Sequence, residues 1–332
     1  MLHIPYFHKN WLLLLYRVLK VYVRFALRFF CRSLVINRPE QLRTGGPLLL
    51  ACNHPNSFLD AILLDILFEQ PLWSLARGDA FKTPFLKRLL HRLKIMPVYR
   101  TSEGVENLSE NYNTFDSCIA LFRQGGQVII FSEGRCVNEW HLRPLKKGTA
   151  RLAMQAWKEG IPLRVLPVGI NYSSFRRYGK NIFIHFGEMM LPESFDLDLP
   201  DGVRNQAFNQ VLRGELEKSV MEILPHDKAR QRELLAVKIP AWQKILLAIP
   251  ALAGILLHFP FYGIVRWKTK TADVSDHYDS ITMALLLFFY PFYLLLLTVL
   301  SCWLMGIAGL SALLVIPFCG WASMRLKPQL DK

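Results

Sequence analysis

No Gly-x-Ser-x-Gly turn occurs in this chain, which excludes the strained elbow that presents a serine nucleophile. No cysteines are paired at metal-ligand spacing. Cys31, Cys52, Cys118, Cys136, Cys302 and Cys319 are scattered, the last two in an apolar C-terminal stretch. They read as reduced thiols in a protein that faces the cytosol. No internal repeat and no low-complexity tract is present. Acidic residues are few, 26 against 40 Lys and Arg, for a formal net charge of +14. The most extensive absence is charge itself: residues 281–320 hold no Asp, Glu, Lys or Arg. A soluble helical core does not sustain so long an uncharged run, and at about 20 residues per span it suffices to cross a bilayer twice.

Hydrophobic residues make up 52% of the 332, and the mean hydropathy of +0.21 is high for a purely soluble protein. Half of the net charge lies in the first 44 residues, where Lys9, Arg17, Lys20, Arg24, Arg28, Arg32, Arg38 and Arg43 face only Glu40. A basic excess suits anionic lipid, nucleic acid or an acidic carrier protein, and the pattern selects lipid. Arg17, Lys20, Arg24, Arg28 and Arg32 recur at helical spacing and form one stripe. Trp11, the leucines 12 to 15, Val18, Leu19, Tyr22, Phe25, Phe29 and Phe30 cover the rest. Residues 1–35 are therefore expected to be one or two basic interfacial helices, apolar face in the acyl region and cations at the phosphates. Arg17 and Lys20 interrupt the leucine run and no small-residue cleavage site follows, which disfavours a secretory signal. Aromatic and aliphatic bulk without a base-reading motif disfavours a nucleic-acid arm.

Gly306 and Gly309 mark a bend in the uncharged stretch, which suggests a membrane hairpin over 281–320. Residues 245–265 are also uncharged, but Pro250, Gly254 and Pro260 are expected to interrupt them. Arg266, Lys268 and Lys270 on one side of the hairpin, with Arg325 and Lys327 on the other, place both flanks in the cytoplasm. On that reading 245–265 does not cross fully. The expected location is the cell (cytoplasmic) membrane, with the catalytic domain facing the cytoplasm.

Between these ends the pattern alternates. Strand-like runs at 48–52, 72–76, 95–99, 128–131, 165–170 and 182–186 alternate with helix-like stretches, notably 104–123 and 148–158. Residues 203–222 read as a further helix. The expected class is α/β, a largely parallel central sheet flanked by helices. The expected division is a catalytic domain at 36–225, a charged linker at 226–240 and hydrophobic membrane segments at 241–332.

Four blocks are candidates for chemistry. In the first, Asn53-His54-Pro55-Asn56-Ser57-Phe58-Leu59-Asp60, a His on a strand-to-helix turn precedes an Asp in the helix's first turns. That suits a general base with an orienting carboxylate. The plain alternative is a strand-end His bonded to backbone and an Asp favoured by the helix dipole. The second block, 95–100, is a strand ending in Arg100. The third, 128–135, is a strand entering a turn with Glu133, Gly134 and Arg135. The fourth, 165–170, is an apolar strand containing Pro167. Sites in α/β sheets gather at strand C-terminal ends. Arg100 and Arg135 suit a phosphate, Glu133 suits a polyol hydroxyl, and Gly134 leaves room for close backbone approach. Taken one at a time, each block is also an ordinary turn, surface arginine or core strand.

In this order the blocks resemble the glycerolipid acyltransferase family, which includes lysophosphatidic acid and glycerol-3-phosphate acyltransferases. The resemblance covers about residues 45–190. Asn53, His54 and Asp60 look like Asn-His-x4-Asp, Arg100 like a phosphate-binding arginine, and Phe131, Glu133 and Gly134 like Phe-Pro-Glu-Gly-Thr-Arg. Residues 165–170 look like the hydrophobic strand with proline. Four features depart from the pattern. Five residues separate His54 and Asp60, Ser132 stands for Pro, Arg135-Cys136 for Thr-Arg, and Lys94 where glycine often begins the second block. The longer spacing also resembles some glycerol-3-phosphate acyltransferases, so the acceptor stays open.

The resemblance implies a mechanism in which His54, oriented by Asp60, deprotonates an acceptor hydroxyl that attacks an acyl thioester, with no acyl-enzyme, metal or cofactor. The implied partners are acyl-CoA or acyl-carrier protein, a lysophospholipid or glycerol-phosphate acceptor and an anionic lipid membrane, without nucleic acid. A lyso-aminolipid acceptor is an alternative within this class. A transacylase or hydrolase using the same pair and a non-catalytic membrane scaffold are alternatives outside it.

Overall fold

The computed structural model describes residues 6–99, 108–269 and 276–331. A single long helix, α1 (Tyr6–Phe30), leads into β1 (Cys31–Ile36). There follow β2 (Leu48–Cys52), α2 (Ser57–Leu67), β3 (Leu72–Arg77), α3 (Pro84–Arg92), β4 (Ile95–Val98), α4 (Leu108–Arg123), β5 (Gln127–Phe131) and α5 (Lys147–Lys158). The chain continues through β6 (Arg164–Tyr172), β7 (Lys180–Phe186), α6 (Asp201–Ser219) and α7 (Lys228–Leu235). It ends in three apolar helices, α8 (Ala241–Thr269), α9 (Tyr278–Met305) and α10 (Ala312–Leu326).

The strands form one seven-stranded sheet in the order β1-β7-β6-β2-β5-β3-β4. β2 runs parallel to both neighbours, β5 and β6, and β3 is parallel to β4 and β5. β7 is antiparallel to β6 and parallel to β1, so β1 and β7 run opposite to the rest. The expectation of a largely parallel α/β sheet holds, and the reversed pair closes one side. β2 is fully buried along its length. Leu48, Leu50 and Cys52 join the core on one face of the sheet, Leu49 and Ala51 the core on the other. A strand covered on both faces reads as a continuous apolar run, which is what residues 48–52 are.

Three segments differ from expectation. Arg32 lies on β1 rather than on the N-terminal helix. Residues 226–240 contain α7, whose Gln231 and Leu235 are fully buried, so this segment belongs to the packed domain rather than to a free linker. Pro250 and Pro260 lie inside α8 without ending it. Where α8 meets α10, a Cβ on Gly254 would fall 2.0 Å from the Cys319 carbonyl oxygen, so glycine lets the two backbones touch. The bend expected near Gly306 is present: residues 306–311 form a short 3-10 turn between α9 and α10, and Gly306 has φ +61°.

The basic stripe does not face outward as a unit. Lys20 pairs with Asp65 at 3.8 Å, and the Arg24 guanidinium donates to the Ile66 carbonyl, closing the end of α2. Arg32 is buried and donates to the carbonyls of Met324 and Arg325 at the end of α10. Carbonyls at a helix C-terminus lack intrahelical partners, so cations satisfy them there. Of the five, Arg17 and Arg28 are exposed without such an anchor among the described residues. The outer surface of α1 is instead apolar, with Leu14, Val18, Val21 and Phe25 all more than half exposed.

Candidate active site

The turn after β2 is fixed by its first residue. Asn53 is buried, and its side-chain amide exchanges two hydrogen bonds with the backbone of Ile170 on β6, at 2.8 and 3.1 Å. His54 therefore sits just past the C-terminal end of a central strand. Its ring stacks on Phe131 with centroids 3.8 Å apart and planes 12° apart. Its carbonyl accepts from Val137 N–H and its backbone N–H donates to Glu133 Oε2 at 2.7 Å.

His54 Nδ1 lies 2.9 Å from Asp60 Oδ2. Asp60 is completely buried, a position a carboxylate holds only with its lone pairs occupied. The same Oδ2 accepts from Asn56 N–H at 2.8 Å, and Oδ1 accepts from the Tyr172 hydroxyl at 2.7 Å. With the ionised carboxylate as acceptor, Nδ1 carries the proton and Nε2 keeps its lone pair. The His54 side chain is 16% exposed, so solvent reaches the ring while its carboxylate is sealed. The expected pairing of His54 and Asp60 is present. Tyr172 and Asn56 complete it, and neither was a sequence candidate for this role. Tyr172 ends the strand of the fourth block, which is the one local signal that it reaches the site.

Glu133, expected to meet a polyol hydroxyl, bonds backbone here. It is 5% exposed, and its two oxygens accept from the backbone N–H groups of His54 and Arg143, at 2.7 and 2.9 Å. Burial raises its pKa, and those two backbone bonds oppose the rise. It ties the His54 turn to the 143 loop. Gly134 has φ +67°, the left-handed region that glycine adopts without penalty, and is exposed together with Arg135. Arg143 pairs with Glu139 at 2.8 Å. Arg100 lies outside the described residues.

The site also takes residues from far along the chain. Asp279 and Ser280, in the first turn of α9, bond Asn56 and Leu59. Lys180 of β7, buried, forms an ion pair with Asp279. The Cys136 thiol accepts from Ser57 N–H at 2.9 Å. Ser57 has φ +50°, an uncommon conformation for a residue with a side chain.

A sealed carboxylate holding a partly exposed imidazole is an arrangement that can remove a proton from a bound hydroxyl and return it to a leaving group. The family model described as Acyltransferase matches residues 33–171. No curated protein matches the chain. Among solved structures, a similar one is the crystal structure of the 1-acyl-sn-glycerophosphate (LPA) acyltransferase PlsC from Thermotoga maritima. It is 18% identical, with 64% of this chain and 82% of that chain covered and a TM-score of 0.46.

Proposed function

We propose that this chain, whose residues 33–171 match the Acyltransferase family model, is an enzyme that transfers a fatty acyl group from an acyl thioester to a hydroxyl of lysophosphatidate or a related glycerophospholipid precursor. The observation that carries the reading is the His54–Asp60 pair at 2.9 Å, its carboxylate buried and thrice bonded and its imidazole reachable. His54 Nε2 takes the proton of the acceptor hydroxyl as that oxygen attacks the thioester carbonyl. The tetrahedral intermediate collapses with cleavage of the C–S bond, and the imidazolium returns its proton to the departing thiolate. Arg100 and Arg135 are the proposed contacts for the acceptor's phosphate, and Gly134 leaves the turn open beside Arg135. Acyl-CoA and acyl-carrier protein are both compatible donors for a basic surface.

The lipid substrate fits the apolar surface. α9 and α10 are joined by a tight turn, and outward side chains such as Phe288, Phe292, Leu296, Trp303 and Leu314 are more than half exposed. Two described helical stretches, Ala241–Thr269 and Tyr278–Leu326, are long and apolar enough to cross a membrane. The proposed arrangement inserts α9 and α10 as a hairpin. α8 is held at its start, where the Val237 N–H just before it donates to Gln329 Oε1. It exposes Ile245, Ile249, Leu252, Leu256 and Phe259 on one face. That suits a helix lying along the bilayer surface beside the apolar face of α1.

The test is product analysis with purified full-length protein, a labelled acyl thioester and a panel of acceptors: lysophosphatidate, glycerol-3-phosphate, lysophospholipids and lyso-aminolipids. Thioester-dependent acylation of a phosphate-bearing acceptor supports the reading. Release of free fatty acid to water, or transfer from intact phospholipid without thioester, replaces it with a hydrolase or transacylase. Absence of turnover with every donor favours a scaffold.

A further inference from the structure

Helix α2, which carries Asp60, has an unusual N-terminus. Its N-cap residue, Asn56, makes no capping bond with its own side chain. An N-cap amide ordinarily satisfies one of the free N–H groups of the first turn. Here the Asn56 side chain, fully buried, donates instead to Asp279 Oδ2 at 2.7 Å. The capping task falls to Ser280, whose Oγ accepts from Leu59 N–H at 3.2 Å and donates to the Asn56 carbonyl at 3.0 Å. His277 Nδ1 lies 2.8 Å from Ser57 Oγ in the same turn.

These contacts lead directly to the base. Asn56 N–H and His54 Nδ1 share one oxygen of Asp60, so the turn that α9 grips is the turn that sets the imidazole. A second route passes through Lys180. Its buried ammonium pairs with Asp279 and lies 5.7 Å from the ring centroid of Tyr172, the other donor to Asp60. Removing Asp279 would leave the buried Lys180 amine without its carboxylate partner, so the pair holds α9 in one seat.

We propose that Asp279 and Ser280 are positioning residues for the His54–Asp60 pair, so that turnover depends on the seating of the C-terminal apolar helices against the catalytic domain. The inference rests on the proposed base role of His54. The first turn of α9 holds the strained turn at Ser57 and caps α2 across 221 residues of sequence. In effect the apolar hairpin ends in the active site, and displacement of α9 releases the carboxylate that orients the base.

The experiment uses full-length protein in mixed lipid vesicles, with a labelled acyl thioester and whichever acceptor the panel identifies. Ser280→Ala removes the cap without stranding a charge, and Asp279→Asn removes the carboxylate charge. The expected result is a fall in kcat of up to about 10²-fold, the scale of a misplaced catalytic group. KM for donor and acceptor stays within about twofold, because ground-state binding of the substrates is left intact. Ser280→Thr restores kcat, since it keeps the hydroxyl. Combined with His54→Ala, neither substitution lowers the residual rate further, because residues acting as a unit are not additive.

Wild-type kcat in folded Ser280→Ala overturns the proposal. So does an equal proportional loss in the His54→Ala background, which would mean a general loss of folded enzyme. A folded His54→Ala protein with near-normal turnover would instead remove the base assignment, a failure distinct from that of the positioning role.

Discussion

The Tyr172 hydroxyl donates to Asp60 Oδ1 at 2.7 Å across 112 residues of sequence, with both side chains fully buried. Tyr172→Phe keeps the ring and removes the donor, leaving Oδ1 of a fully buried carboxylate without that partner. An unsatisfied buried acceptor costs about 1–3 kcal/mol. The expected outcome is a lower Tm and a lower kcat with little change in KM, read by thermal unfolding and initial rates. Wild-type values of both would mean that the bond contributes nothing.

His54→Ala removes the proton acceptor while the turn keeps Asn53 and Glu133 as anchors. Turnover should fall by about 10²–10⁴-fold, the usual contribution of a general base, with the protein still folded and membrane-bound. Asp60→Asn should also be severe, because an amide disturbs the tautomer and the orientation of the ring.

Glu133 braces two backbone N–H groups as a carboxylate, and burial raises its pKa. Its folded pKa thus lies above the unfolded one, so in the window between them the folded state binds more protons. Stability from this group therefore falls as pH climbs upward from about 4.5 through that window. Glu133→Gln should flatten this slope in thermal melts across the acid range. It should also lower kcat without raising acceptor KM. A selective rise in acceptor KM would return Glu133 to the substrate-contact role.

Arg100→Ala should raise the KM for a phosphorylated acceptor far more than the KM for the donor, by loss of a charge-assisted contact. Activity on an acceptor without phosphate should be nearly insensitive. Unchanged acceptor KM on a phosphorylated substrate would refute the phosphate role.

The full-length protein should stay with membranes through a high-salt wash, since screening weakens ion pairs and leaves apolar burial intact. Release by salt would refute the inserted hairpin. The cations of α1 should divide into two groups. Lys20→Ala and Arg24→Ala should lower Tm, because Lys20 forms an ion pair with Asp65 and Arg24 donates to the Ile66 carbonyl. Arg17→Ala and Arg28→Ala should leave Tm unchanged, with each removing about 1 kcal/mol of attraction to an anionic surface.

What the sequence determined by itself is local. The run at 48–52 is apolar without alternation, and only a strand buried on both faces tolerates that. The alternation of such runs with amphipathic stretches requires a covered, mostly parallel sheet. His54 and Asp60 are six positions apart across one turn, a spacing that suits a base and its carboxylate, but only the ordered set of four blocks set that reading above a strand-end His bonded to backbone. The bend at Gly306 was legible because a conformation with positive φ demands glycine. Tertiary structure decided what depends on contacts between distant segments. Helical periodicity put five cations in register but could not fix which side of α1 stays exposed, because that depends on Asp65 and the end of α10. It could not assign Glu133 to backbone donors, since the carboxylate's partners come from the 54 turn and the 143 loop. Nor could it supply Tyr172, Asp279 and Ser280, whose local sequence is that of an ordinary strand end and an apolar helix start. A buried carboxylate must fill its lone pairs and a capless helix must find an acceptor. Only the folded chain decides which residues are near enough to meet those requirements.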